Sequence, residues 1–207
     1  MSPKLSELNP KDVAREVCSR VVDHMHRVAF GLMPTVNLHL PGAEGRDLID
    51  ALASESNLGL TVQTLTQYAQ RGLPAWDWET SGEASDACLD VFSALYTSAG
   101  APELGGGITD MADDVEPDDA IGVVLLAALA RIKLDQRAPL TFREVAVLAG
   151  ISYDGVAKQA QRGELEAHPE PGDDRAHPRM VVAPAVAKRW LGARGVAGFA
   201  SKGEARP

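Results

Sequence analysis

Cysteine is nearly missing from this chain of 207 residues: only Cys18 and Cys88 occur, far apart and without the paired spacing that holds zinc or builds a disulfide framework. A reducing, cytoplasmic setting is the expectation. Long apolar runs are missing too. The longest, residues 120–130, is too short to span a bilayer, and the polar first ten residues lack the basic-then-apolar order of a secretory signal. No phosphate-cradling loop is present, because Gly105 to Gly107 run into Ile-Thr-Asp and not into Gly-Lys-Ser, and no GxSxG elbow occurs. The chain is therefore read as a non-enzyme without a cofactor. His24 and His26, two apart on a helix, point to different faces, and His168 and His177 beside Asp173 and Asp174 match no zinc pattern. The acidic run at 110–119 lacks the ligand spacing of a calcium loop, so no metal is expected.

Positive charge is scarce overall, with a formal net charge of −9. That excess repels a polyanion. It is unevenly placed. Residues 1–136 carry 9 Lys and Arg against 21 Asp and Glu, whereas residues 137–207 carry 11 against 8. Such asymmetry is the footprint of a nucleic-acid-facing segment attached to an acidic partner region.

The apolar spacing predicts a mainly α fold. Val13, Val17, Val21, Val28 and Leu32 make one stripe of a helix over 10–33. Leu48, Ile49, Leu52 and Ala53 are the inner face of a short helix over 45–55. A helix over 62–71 is expected with Thr61 as its cap and Gly72 past its end, and one over 81–98 with Ala84, Leu89, Phe92, Leu95 and Tyr96 at helical spacing. Residues 99–117, rich in Gly and Asp, read as a surface linker. The helix after it, expected from Pro117 to Leu134, is apolar all round. It must be buried, either centrally in this chain or against a second copy, and the second possibility predicts a homodimer. Arg131 and Lys133 would complement the negative end of its dipole. In outline, residues 1–44 form an N-terminal helix and loop, 45–100 a helical region, 101–136 the linker and apolar helix, 137–195 a C-terminal module, and 196–207 a flexible tail.

Residues 140–163, LTFREVAVLAGISYDGVAKQAQRG, assign a mechanical task to each position of a helix-turn-helix. Thr141 and Glu144 form a capping box, and Val145, Ala146 and Leu148 are the inner face of the first helix. Gly150 supplies the positive φ of the turn, Ile151 plugs the corner, Ser152 caps the second helix, Val156 and Ala160 face inward, and Gly163 ends it. Asp154, Ala157, Lys158, Gln161 and Arg162 remain outside. A strand over 164–167, a loop over 168–178 and a returning strand over 179–182 complete a β-hairpin wing, and Pro184 opens a helix whose Trp190 and Leu191 cover the core.

On REVAVLAGIS, the QRGEL junction and PAVAKRWL, residues 140–191 resemble the small winged helix-turn-helix of the MerR and phage-excisionase group. The resemblance covers about a quarter of the chain. It implies that the second helix enters the major groove through Lys158, Gln161 and Arg162, while the wing meets phosphate or the minor groove through Arg175, His177 and Arg179. Asp154 and Gly155 depart from the pattern, one by placing an acid at the leading end of that helix and the other by weakening it by roughly 1 kcal/mol. The function implied is sequence-specific binding of double-stranded DNA in transcription control. An architectural role in excision or packaging initiation is the alternative within DNA binding, and a helical protein-interaction adaptor is the alternative outside it.

Residues 59–72, GLTVQTLTQYAQRG, lie over 150–163 at a constant offset of 91. The overlay matches Gly59 with Gly150, Leu60 with Ile151, Thr61 with Ser152, Leu65 with Val156 and Gly72 with Gly163. Two readings stay open: a second, degenerate helix-turn-helix near 46–78, or an ordinary helical hairpin. The first would expose Gln63, Gln67, Gln70 and Arg71, adding Gln67 and Arg71 to the DNA contacts, and would pack Trp76 and Trp78 in its wing or core.

Overall fold

Asn9 begins the first long helix by accepting the Lys11 amide on its side chain at 3.0 Å, and Pro10 takes the first helical position, where no amide is needed. The computed structural model describes residues 3–32, 46–75, 78–96 and 115–199. Helix α1 spans Pro10–Leu32 and buries Val13, Ala14, Val17 and Cys18. Val21 is half-buried, and the side chains of Val28 and Leu32 lie outside the described set. Helix α2, Arg46–Glu55, contributes Ala53 to the core and lays Ile49 and Leu52 along its edge.

Helix α3 spans Asn57–Arg71, one turn longer than its sequence indicated. Ser56, and not Thr61, is its cap: the Ser56 hydroxyl accepts the Gly59 amide at 3.0 Å and donates to the Leu52 carbonyl at 2.5 Å. Gly59 therefore lies inside the helix. A Cβ there would stand 2.4 Å from the Leu52 carbonyl oxygen and 2.5 Å from that of Ala53, so the missing side chain lets α2 and α3 touch backbone to backbone. This overturns the second helix-turn-helix. The residue matched to a turn glycine packs two helices, and the residue matched to a cap sits within α3. Gln63 is buried and donates to the Ala53 carbonyl.

Helix α4, Ser81–Tyr96, buries Ala84, Ala87, Cys88, Val91 and Phe92, which leaves Leu89 and Leu95 at the margin of the stripe. Trp78 packs on the core edge, its ring meeting Tyr68 edge to face at 6.4 Å; Trp76 falls outside the described residues, as does the linker over 97–114.

The apolar helix α5, Ala120–Asp135, is the centre of the molecule. Its cap is Asp119, three residues later than Pro117 suggested, and every residue from Ile121 to Ile132 is buried. Helices α1, α3, α4 and the C-terminal module surround it. The apolar surface that called for a second copy is thus covered within one chain, which removes the ground for the expected dimer.

The C-terminal module follows. Strand β1 is Leu140–Thr141, α6 Phe142–Ala149, α7 Tyr153–Gln161, β2 His168–Pro169, β3 Met180–Val182 and α8 Pro184–Ala193. The three strands form an antiparallel sheet in the order β1-β3-β2, pairing Leu140 with Val182 and His168 with Val181. The first strand of the hairpin lies later than the 164–167 expected. The Glu164 and Leu165 amides still bond to the Gln159 carbonyl, closing the end of α7, and Leu165 is buried. The mainly helical architecture with one small C-terminal sheet is otherwise as the periodicity indicated. No helix among the described residues is long and apolar enough to cross a membrane.

The chain after α8 is not a loose tail over 196–199. Arg131 donates to the Ala197 carbonyl at 2.8 Å and lies over the Phe199 ring at 4.5 Å. Arg131 also donates to the Ala69 and Gln70 carbonyls, two of the orphan acceptors at the end of α3. It therefore serves the dipole of α3 and not, as its position in sequence suggested, that of its own helix. Residues 200–207 lie outside the described set.

Candidate nucleic-acid interface

The capping box at the start of α6 is complete: Thr141 accepts the Glu144 amide at 3.3 Å, and the Glu144 carboxylate accepts the Thr141 amide at 2.7 Å. Glu144 is buried, and its other oxygen meets Lys133 of α5 at 2.7 Å. One side chain thus caps α6 and ties it to the central helix. Val145, Ala146 and Leu148 are buried, as the pattern required.

Gly150 has φ 65 and closes α6 in the left-handed conformation, with no atom within 4 Å of where a Cβ would be. The turn is open to solvent, so glycine is required there by backbone conformation alone. Ser152 then caps α7 by accepting the Gly155 amide at 3.1 Å. Val156 is fully buried, and Ile151, Ala157 and Ala160 are packed partly against the core. The outer face of α7 presents Asp154, Lys158 and Gln161, all exposed, with Arg162 exposed at its C-cap.

The loop between β2 and β3 is organised by Asp173. Its carboxylate accepts the Arg179 amide at 2.7 Å, the Arg175 amide at 3.2 Å and the Arg175 Nε at 2.7 Å. The Arg175 guanidinium and these amides hold the Asp173 carboxyl well below the usual carboxylate range. Arg179 reaches Glu170 across the loop at 3.8 Å. Arg175 and Arg179 are therefore engaged within this loop; Arg175 is 61% exposed and His177 is exposed.

No family model, no curated protein and no solved structure matches this chain. Lys158, Gln161 and Arg162 share one helix, and Arg175, His177 and Arg179 share one loop of the same module. Gln67 and Arg71 do not join them. Helix α3 packs against α1, α2, α4 and α5, so Gln67 is half-buried and only Arg71, at its end, is exposed. Gln70 donates to the Leu5 and Leu8 carbonyls at 2.9 and 2.7 Å.

The charge on the module is nearly balanced. Arg137, Lys158, Arg162, Arg189 and Arg194 are exposed cations without an ion-pair partner among the described residues, and Asp154, Glu164, Glu166 and Asp174 are exposed anions in the same condition. The +3 read over residues 137–207 is thus not a basic patch. Across the boundary of that count, pairing of Arg143 with Glu116 and of Lys188 with Asp135 takes up two cations, and pairing of Glu144 with Lys133 takes up one anion.

Two features of the site escaped the sequence. Tyr153, at the first turn of α7, is 58% exposed and leans on Phe142 with ring centroids 6.0 Å apart. Beside it lies an apolar cleft of about 460 Å³ bounded by Leu5, Val123, Ala146, Val147, Ile151 and Tyr153. The five residues SYDGV, with a tyrosine after a cap, held the only local signal. The cleft needs Leu5, which no spacing near residue 150 could supply.

Proposed function

We propose that the chain binds double-stranded DNA in a sequence-dependent way, with residues 137–195 acting as a winged helix-turn-helix of the kind its sequence resembles. The observation that carries this reading is the outer face of α7. It stands exposed on a helix anchored by Val156, capped by Ser152 and joined to α6 through a left-handed glycine, followed by a hairpin whose loop is preorganised around Asp173. Lys158, Gln161 and Arg162 contact the major groove. Gln161 reads a base edge, since a glutamine amide pairs bidentately with adenine, and Arg162 meets phosphate. Arg175 and His177 approach the backbone from the loop, and Arg179 sets its shape. The setting is the cytoplasm, and the role is transcription control or, with the same contacts, marking or bending DNA.

Balanced charge makes the electrostatic share of this binding small. With about three phosphates neutralised, log affinity should fall with log salt at a slope of about −3. A gel shift of genomic fragments across a salt series tests the reading: a retained band that weakens at about that slope supports it. The apolar cleft beside Tyr153 favours a second reading, an adaptor that docks a protein segment, and no shift at low salt would favour that instead.

A further inference from the structure

A second cleft, of about 540 Å³, lies at the other end of α5, where the ends of α3 and α5, the start of α4 and helix α8 converge. Its volume suits a small metabolite. Three cations line it: Arg71 from α3, Arg131 from α5 and Lys188 from α8; Asp135 and Glu79 are the anions. Asp135 is already engaged, accepting the Tyr68 hydroxyl at 3.3 Å and lying 3.9 Å from Lys188.

Arg131 is the unusual member, because it is 4% exposed and yet has no carboxylate within hydrogen-bond distance. Its Nε and Nη2 donate to the Ala69, Gln70 and Ala197 carbonyls, which are neutral, and burial depresses its pKa to about 10. Its remaining nitrogen, Nη1, donates to no group among the described residues. Two glycines stand beside that nitrogen. A Cβ on Gly72 would be 3.0 Å from it and one on Gly198 2.9 Å, and both residues hold positive φ, +77 and +83. The chain thus folds two backbone segments around Nη1 without covering it.

We infer that this cleft binds a small oxyanion, a carboxylate or a phosphate monoester on a compact apolar body, with Arg131 Nη1 as its buried donor and Arg71 and Lys188 as its outer cations. A planar guanidinium locked by three carbonyls and the Phe199 ring is preorganised for such a group, so little side-chain freedom is lost on binding. Leu73, Leu134 and Phe199 receive the apolar part. Since Lys188 belongs to the C-terminal module and Arg71 to the helical bundle, the anion bridges the two.

The test is isothermal titration of the full chain with inorganic phosphate and, separately, with butyrate, against chloride at matched ionic strength. The expected result is saturable one-site binding of one anion or both, weakened about tenfold or more in R71A/K188A. Arg71 is exposed and Lys188 half-exposed, and an unchanged melting temperature in chloride verifies that the variant is folded. The single variant K188A serves as the comparison if the double variant melts early. Binding of phosphate alone identifies a phosphate ligand, and binding of butyrate alone a carboxylate; either sustains the site. Absence of saturable binding by both anions overturns the inference, and so does binding that the substitutions leave unchanged.

Discussion

Replacing Gly59 by alanine puts a methyl group 2.4 and 2.5 Å from two backbone carbonyl oxygens of α2. Neither oxygen is at the end of a flexible side chain, so α2 must move away from α3 by most of an ångström, pulling on the Ser56 cap and on the Gln63 bond to Ala53. Overpacking of this kind costs about 3 kcal/mol at the upper end of its usual range. Alanine regains roughly 1 kcal/mol of helix propensity over glycine, which leaves a net loss of about 2 kcal/mol. For a chain of this size, thermal unfolding followed by circular dichroism should show a melting temperature lower by about 4–8 °C. Asparagine provides the control. It tolerates a left-handed turn, so at Gly150, where φ is 65 and space is open, Asn should be nearly neutral, while at Gly59 it should be at least as harmful as Ala. A Gly59→Asn protein as stable as the parent would refute the close approach and return Gly59 to a turn.

Arg131→Met should lose about 2–4 kcal/mol, since three carbonyls lose a donor while the cost of burying the charge is relieved, and hydrogen exchange at residues 196–199 should accelerate; unchanged exchange there would mean that the tail is held by something else. Gln67→Ala with Arg71→Ala should leave DNA affinity within about twofold of the parent, because α3 is enclosed; a drop near 1.4 kcal/mol, about tenfold, would reinstate α3 as a contact helix. Asp173 has a depressed pKa in the folded state, so its contribution to the loop is complete above the ordinary carboxylate value of about 4 and is lost only as pH falls below that value. The Asp173 side-chain carboxyl resonance should accordingly hold its position from pH 7 to about 3.5; its movement between pH 5 and 4 would contradict the pairing.

Helices α6 and α7 and the turn between them were legible because their signals are local. Thr141 and Glu144 are three residues apart, and Gly150 and Ser152 each act within four residues of themselves, so the fifteen residues 141–155 contain every partner involved. The same vocabulary misled at 59–72, since a glycine needed for positive φ and a glycine needed for helix contact look alike in sequence. Only the carbonyls of Leu52 and Ala53 distinguish them. Burial of α5 was legible from its composition, but whether its cover came from this chain or a second copy depended on α1, α3 and α4 together. Strand β1 was hidden because Leu140 and Thr141 also begin a helix, and its pairing with β3 spans some forty residues. Arg131 read as a helix-end cation; its partners Ala69 and Ala197 lie more than sixty residues away on either side.

The proposed reading of DNA by the outer face of α7 is tested by the binding of Gln161→Ala and Arg162→Ala proteins to a footprinted site and to its single-base variants. Both residues are exposed and off the core, so both variants should fold as the parent does. Gln161→Ala should lose about 1–3 kcal/mol of discrimination at one base position, while Arg162→Ala should weaken cognate and noncognate binding alike and flatten the salt slope by about one. Two folded variants that bind the site as tightly and as selectively as the parent would mean that this face does not contact DNA.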